Sequence, residues 1–190
     1  MNIFALHQET NICAQYHGNK HVVKMIIEYG QLLSTAHRVL DGQKFITRSA
    51  TGRRKTVYSL SDREFDKILY KATHINHPSA IWCRQSASNY RWLYQLLFAL
   101  CKEYTFRYGR VHKLESSGLL GFLHIEPNKI DYKKPFTYPT PAMPPEYIQD
   151  DVIESYRSYY INAKVKVHNW TGRTGARETP PFIKEALCVS

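Results

Sequence analysis

Residues 20–40, KHVVKMIIEYGQLLSTAHRVL, constrain this chain most, because only a helix reconciles the two patterns they carry. His21, Lys24, Glu28, Gln31, Thr35 and Arg38 recur at steps of three and four. At about 100° per residue that spacing lines them up on one face. Val22, Val23, Ile26, Ile27, Leu33 and Leu40 fall mostly on the other side and are expected to bury. A solvated helix face normally carries exchangeable Glu and Lys. Here one carboxylate is flanked by an imidazole, an ammonium, an amide and a guanidinium. One reading is a surface helix with loose ion pairs. The other makes Glu28 a general base or the counter-charge to a developing cation, within a catalytic set of Glu28, His21, Arg38, Gln31 and Lys24. In that set His21 and Arg38 orient Glu28. Arg38 keeps it ionised, because an opposite charge lowers a carboxylate pKa.

The flanking sequence supplies boundaries. Gly18-Asn19 precedes the helix and Asp41-Gly42 ends it. MNIFAL reads as a strand or extended lead-in, and NICAQYHGN as a helical turn or loop. Residues 44–60 alternate weakly about Thr51-Gly52, which fits a β-hairpin or long loop with Arg48, Arg53, Arg54 and Lys55 at a basic tip. Ser61 and Glu64 have the spacing of a capping box, predicting a helix to about Ala72. THINHP is a loop, with Pro78 suited to the first turn of the next helix. Residues 79–108 read as helical with a break near Ser86-Ala87-Ser88. Leu93, Leu96, Leu97, Leu100 and Tyr104 form an apolar face there, and Gly109 is a stop. Pro127, Pro135, Pro139, Pro141, Pro144 and Pro145 forbid a regular element and predict an extended strap. Asp150 and Asp151 start a helix running through ESYRSYYINAKVKVHNW. The tail after it is basic and broken by Gly and Pro. The expected fold is mainly α: a single compact helical domain with a short basic β-hairpin or loop and a Pro-rich C-terminal wrap. Residues 1–126 are the core, and 127–190 are strap, short helix and tail packed on it.

With 190 residues and 43% hydrophobic content, the chain has enough material for a real core and is not disordered. A formal net charge of +10 favours a polyanionic partner, nucleic acid before an anionic membrane surface. No apolar run is long enough to span a bilayer, and MNIFALHQETN lacks the layout of a signal peptide. Cys13, Cys83, Cys101 and Cys188 form no C-x-x-C pair, which suits a reducing, cytoplasmic setting. No Walker motif, dinucleotide fingerprint or nucleophile elbow is present. His17, His21 and Glu28 could meet at a metal only if the helix began by residue 17, and Gly18-Asn19 argues against that. No metal or cofactor is expected, and the expected state is a monomer.

A second polar stripe runs through NHPSAIWCRQSASNYRWLYQLL, where Arg84, Ser88, Arg91 and Gln95 recur at helical spacing. Guanidinium groups hold phosphates bidentately, and aromatic faces stack on unpaired bases. Arg84, Asn89, Tyr90, Arg91 and Trp92 are therefore candidate DNA contacts, with Arg48, Arg53, Arg54, Lys55 and Lys164. The competing reading places the aromatics in the core and the arginines on a solvated surface.

These features resemble the phage-type pyrimidine-dimer DNA glycosylases, also called endonuclease V. In that family a His on the first long helix is followed seven residues later by the catalytic Glu, matching His21 and Glu28. Residues from His77 through Gly109 resemble its paired central helices, and Tyr159-Tyr160 with Lys164 its C-terminal Tyr-Tyr-x-Lys signature. Two positions depart from the pattern. The family's nucleophile is the α-amine of an N-terminal Thr, where this chain has Asn2. An Arg follows the family's Glu by three residues, where this chain has Gln31. The resemblance implies double-stranded DNA as partner, base flipping, and a DNA glycosylase that can also act as an abasic-site lyase. It implies a phage-encoded protein in the cytoplasm of an infected bacterium. A phage DNA base-hypermodification transferase on the same scaffold and a non-catalytic nucleic-acid-binding protein are the alternatives.

Overall fold

The structure, a computed structural model, describes residues 1–188. It is mainly α, with a compact body. In chain order the elements are α1 (Thr10–Tyr16), α2 (Asn19–Asp41), β1 (Gln43–Arg48), β2 (Arg54–Ser59), α3 (Arg63–Ile68), α4 (Pro78–Cys83), α5 (Ala87–Tyr108), α6 (Lys113–Ser116), α7 (Leu119–Phe122), α8 (Val152–Ala163) and α9 (Pro181–Cys188). Short 3-10 turns lie at Pro145–Tyr147 and Val165–Val167.

The core forms where α2 packs against α5, with α1 also on α5 and α4 on α2. Met25, Ile26, Leu32 and Leu33 of α2 and Leu93, Leu96, Leu97 and Leu100 of α5 are fully buried. Each such side chain contributes about 1.5–3 kcal/mol by leaving water. Ahead of them, Ile3 to Leu6 run extended through the interior. The Phe4 amide donates to the Tyr29 hydroxyl at 3.1 Å, and the Cys13 thiol donates to the Phe4 carbonyl at 3.2 Å. A lead-in without a sheet partner thus has its buried backbone satisfied by side chains.

The C-terminal part wraps the same core. Ile130, Tyr156, Tyr160, Trp170 and Ile183 join it. Arg107, fully buried near the end of α5, ties α5 to the α1–α2 junction, and its carbonyl accepts from the Thr174 amide of the wrap at 3.0 Å. It donates to Glu103 at 2.6 Å, to the His17 carbonyl and Asn19 Oδ1 at 2.8 Å, and to the Gln15 carbonyl at 2.9 Å. Arg177 of the tail reaches the same Glu103 carboxylate at 3.0 Å.

Local signals explain most boundaries. Pro78 opens α4, Ser86 caps α5 by accepting from the Asn89 amide, and Gly109 closes α5 at φ 66°. Asp151 caps α8. Four expectations are corrected. The cap of α3 is Asp62 rather than Ser61, accepting from the Glu64 and Phe65 amides. That helix stops at Ile68 rather than Ala72, because the Arg38 guanidinium takes the carbonyls of Asp66, Leu69 and Tyr70. Helix α8 ends at Ala163 instead of continuing to Trp170. The tail carries a further helix, α9, beginning at Pro181.

Candidate active site and nucleic-acid interface

On α2 the polar residues divide into two groups with different fates. Lys24 and Glu28 remain at the surface side, Nζ to Oε1 3.3 Å, with Lys24 exposed and the Glu28 side chain only 16% exposed. A carboxylate this sheltered is less hydrated than a surface one, so its charge acts more strongly on what lies beside it. One turn earlier, His21 is buried. Its ring lies 4.6 Å from Phe4 and 5.2 Å from Tyr160. Burial, reinforced by the charges of His17, Lys24, Lys164 and His168, pushes its pKa down to about 3. His21 is therefore neutral at pH 7, and its Nδ1 is buried without a hydrogen-bond partner. The Tyr159 ring lies parallel to Phe4 at 6.2 Å, and Lys164 Nζ sits 4.5 Å over Tyr159. Lys164, Tyr159, Phe4 and His21 thus make one layered wall from the end of α8 to the start of α2.

The loop before α4 supplies a residue that the sequence pattern did not single out. His77 caps α4: its Nδ1 accepts from the Ser79 amide at 3.2 Å. That bond fixes the tautomer, leaving the proton on Nε2 as a donor. Partial burial lowers the His77 pKa, the α-amino group of Met1 and His74 lower it further, and Glu28 opposes them. His77, the Met1 amino group and Glu28 therefore share one electrostatic neighbourhood. The loop is held in a strained form, with His74 at φ 48°. Thr35 Oγ1 accepts from the Thr73 amide at 3.2 Å, and Arg84 donates to the Ile75 carbonyl at 2.8 Å. Non-glycine residues at positive φ persist only where surroundings over-determine them. The signal available in sequence was the His77-Pro78 pair, a capping residue before a helix-opening proline.

Several expected site residues lie elsewhere. Gln31 lines a separate cleft with Ile27, Lys67, Tyr70 and His112. Ile27, expected to bury, is 41% exposed there. Arg38 does not tune Glu28: it is buried, paired with Asp66 at 2.8 Å and bonded to the Tyr58 carbonyl at 2.8 Å. Tyr90 is no stacking platform, being fully buried with its hydroxyl donated to the Leu123 carbonyl at 3.0 Å. Asn89 is equally internal, holding the strap through the Thr137 amide at 3.0 Å. Trp92 packs edge-on to Trp82 at 6.0 Å and is covered by Phe136. Arg84 is half-buried and braces the His74 loop. Arg91 stays exposed but is paired with Glu126 and stands 5.7 Å from the Tyr132 ring.

The basic hairpin is where expected. Strands β1 and β2 pair antiparallel from Gln43↔Ser59 to Arg48↔Arg54, and every residue of β1 is exposed. Arg48, Arg53, Arg54 and Lys55 all lie at its solvent end.

Among the described residues, no group of three or more His, Cys, Asp or Glu side chains is placed to share a metal ion, and no helix is long and apolar enough to cross a membrane. Cys13, Cys83 and Cys101 are buried free thiols and Cys188 is exposed. No protein family, curated protein or solved structure matches the chain.

Proposed function

We propose that this chain is a DNA-base-acting enzyme, most simply a glycosylase acting on a damaged or modified pyrimidine extruded from duplex DNA. The observation that carries the reading is the sheltered Glu28 carboxylate, 3.3 Å from Lys24 and within electrostatic reach of His77, on a strongly basic chain. Cleaving an N-glycosidic bond builds positive charge on the sugar. A carboxylate in a poorly hydrated site stabilises that charge and accepts a proton from attacking water. In the hydrolytic step the water oxygen bonds to C1′ and gives its proton to Glu28. The N–C1′ bond breaks, its electron pair leaves with the base, and the Lys24 ammonium returns a proton to that base. On an abasic site the Lys24 ammonium passes a proton to the Glu28 carboxylate 3.3 Å away, and the amine condenses with the C1′ aldehyde, losing water to form an imine.

The test is incubation of the full chain with duplexes carrying an abasic site or ultraviolet-induced pyrimidine lesions, followed by mass analysis of protein and strands. Base release, or a borohydride-reduced protein–DNA adduct mapped to Lys24, is the expected result. An intact strand that gains mass identifies a transferase instead. Binding with no change in any strand rejects catalysis. Glu28→Gln retains the shape and binding but removes the charge, and should slow base release by about two orders of magnitude.

A further inference from the structure

Resting on the reading of the partner as DNA, we infer that the β1–β2 hairpin is a ribbon that enters the major groove of B-form duplex DNA and so selects DNA over double-stranded RNA. Three independent features of the hairpin carry this.

The first is charge. Lys44, Arg48, Arg53, Arg54 and Lys55 lie on it, with no carboxylate from Gln43 to Ser59. Arg48 stands directly across the ladder from Arg54. Like charges in opposed positions destabilise a strand pair, so this arrangement carries a cost in the free protein that phosphates relieve.

The second is shape. Six residues per strand make a ribbon about 20 Å long, with strands about 5 Å apart. The B-DNA major groove, about 12 Å wide, admits such a ribbon without deforming the duplex, whereas the minor groove, about 6 Å wide, would have to be pried open. In A-form RNA the major groove is too narrow for side chains to read.

The third is exposed apolar surface on the same element. The ladder alternates, so Ile46 shares a face with Arg48, Arg54 and Thr56, and Phe45 shares the other with Val57 and Lys55. Ile46 is 59% exposed and Phe45 44%, with no covering element. Apolar side chains beside cations suit thymine methyl groups at the groove floor, with phosphates along its rims. A second copy pairing through the open strand edges is disfavoured by the same cationic charge.

The root of the hairpin is rigid. Arg38 holds the Tyr58 carbonyl, and Asp66 accepts from the Leu60 amide at 2.8 Å. A fixed root aims the ribbon and lowers the ordering cost on binding.

The experiment measures binding of the full chain to a short DNA duplex and to the matching RNA duplex by fluorescence anisotropy across salt. Dimethyl sulfate footprinting of the DNA complex accompanies it. DNA should bind at least tenfold more tightly than RNA, and guanine N7, in the major groove, should be protected. Changing Arg53, Arg54 and Lys55 together to Ala should make the log affinity against log salt slope shallower by about 2 to 3, near 0.9 per lost phosphate contact. Arg53→Lys with Arg54→Lys should leave the slope in place. Protection of adenine N3 alone, equal RNA affinity, or a hairpin-dependent doubling of protein mass in light scattering overturns the inference. If the alanine variant does not fold, the wild-type footprint and RNA comparison decide. Footprinting reads docking without chemistry. A missing borohydride adduct with N7 protection intact therefore defeats the catalytic reading alone, and an adduct with unprotected N7 defeats the ribbon alone.

Discussion

At the scale of single residues, what separates a site from a surface here is which donors and acceptors are already committed. Arg107 has its guanidinium bonds filled by protein groups, so its buried charge serves the fold. Among the described residues, Glu28 has one ion-pair partner, an exposed Lys24, and His77 has only its Nδ1 engaged in a hydrogen bond. An imidazole with a lowered pKa and its proton fixed on Nε2 is a neutral donor at pH 7, suited to polarising a carbonyl oxygen on a pyrimidine. His77→Asn separates this role from capping, because Asn is as good an N-cap. The variant should melt within a degree or two of wild type yet release base about tenfold or more slowly. Loss of melting temperature in proportion to loss of rate, measured by calorimetry and single-turnover kinetics, would return His77 to a purely structural role.

Among the elements, the end of α3 shows how a local pattern is overruled from a distance. Arg38, at sequence separations no helix pattern can register, collects carbonyls from Tyr58, Asp66, Leu69 and Tyr70. Removing it orphans those carbonyls and takes from Asp66 its cationic partner, leaving the Leu60 amide. Arg38→Ala should therefore cost about 1–3 kcal/mol in denaturant unfolding, the scale for leaving buried hydrogen-bonding groups unpaired. A loss below about 1 kcal/mol would mean the guanidinium is no strut. The elements legible in sequence were those with local causes: α2 from its spacing, the hairpin from Thr51-Gly52, α4 and α5 from Pro78, Ser86 and Gly109. Those that were misread had distant causes or masked signals. Helix α3 is cut short by Arg38, and α9 follows a Gly/Pro-broken stretch although Pro181 is a sound first-turn residue. The same division holds at the candidate site. The proximity of His21, Lys24 and Glu28 follows from helix period, whereas the burial of Tyr90 and Asn89 depends on the strap laid over them.

Taken whole, the molecule buries four imidazoles, those of His17, His21, His37 and His112, while carrying an excess of positive charge, and this sets its response to acid. Burial lowers the pKa of His17 to about 4, with Arg107 nearby adding to the effect. Burial likewise lowers His37 to about 4 and His21 to about 3. Each is neutral in the fold and takes a proton near pH 6.5 once unfolded. Below that pH the unfolded chain binds more protons than the native one, so stability falls as pH falls. The loss begins near 6.5 and continues until the native pKa is reached, at about 1.4 kcal/mol per pH unit for each imidazole at most. Repulsion among the many cations acts in the same direction. Denaturant melts at pH 7.5, 6.0 and 5.0 should show little change down to about 6.5 and then a steep decline. His37→Gln keeps an N–H directed at the Tyr90 hydroxyl, which His37 Nε2 meets at 2.9 Å, and removes one titrating group. Its decline should be shallower by the share of one imidazole. A wild-type profile that stays flat from pH 7.5 to 5.0 would show that these imidazoles accept protons inside the fold as readily as outside it, and that the interior around α2 is open to water.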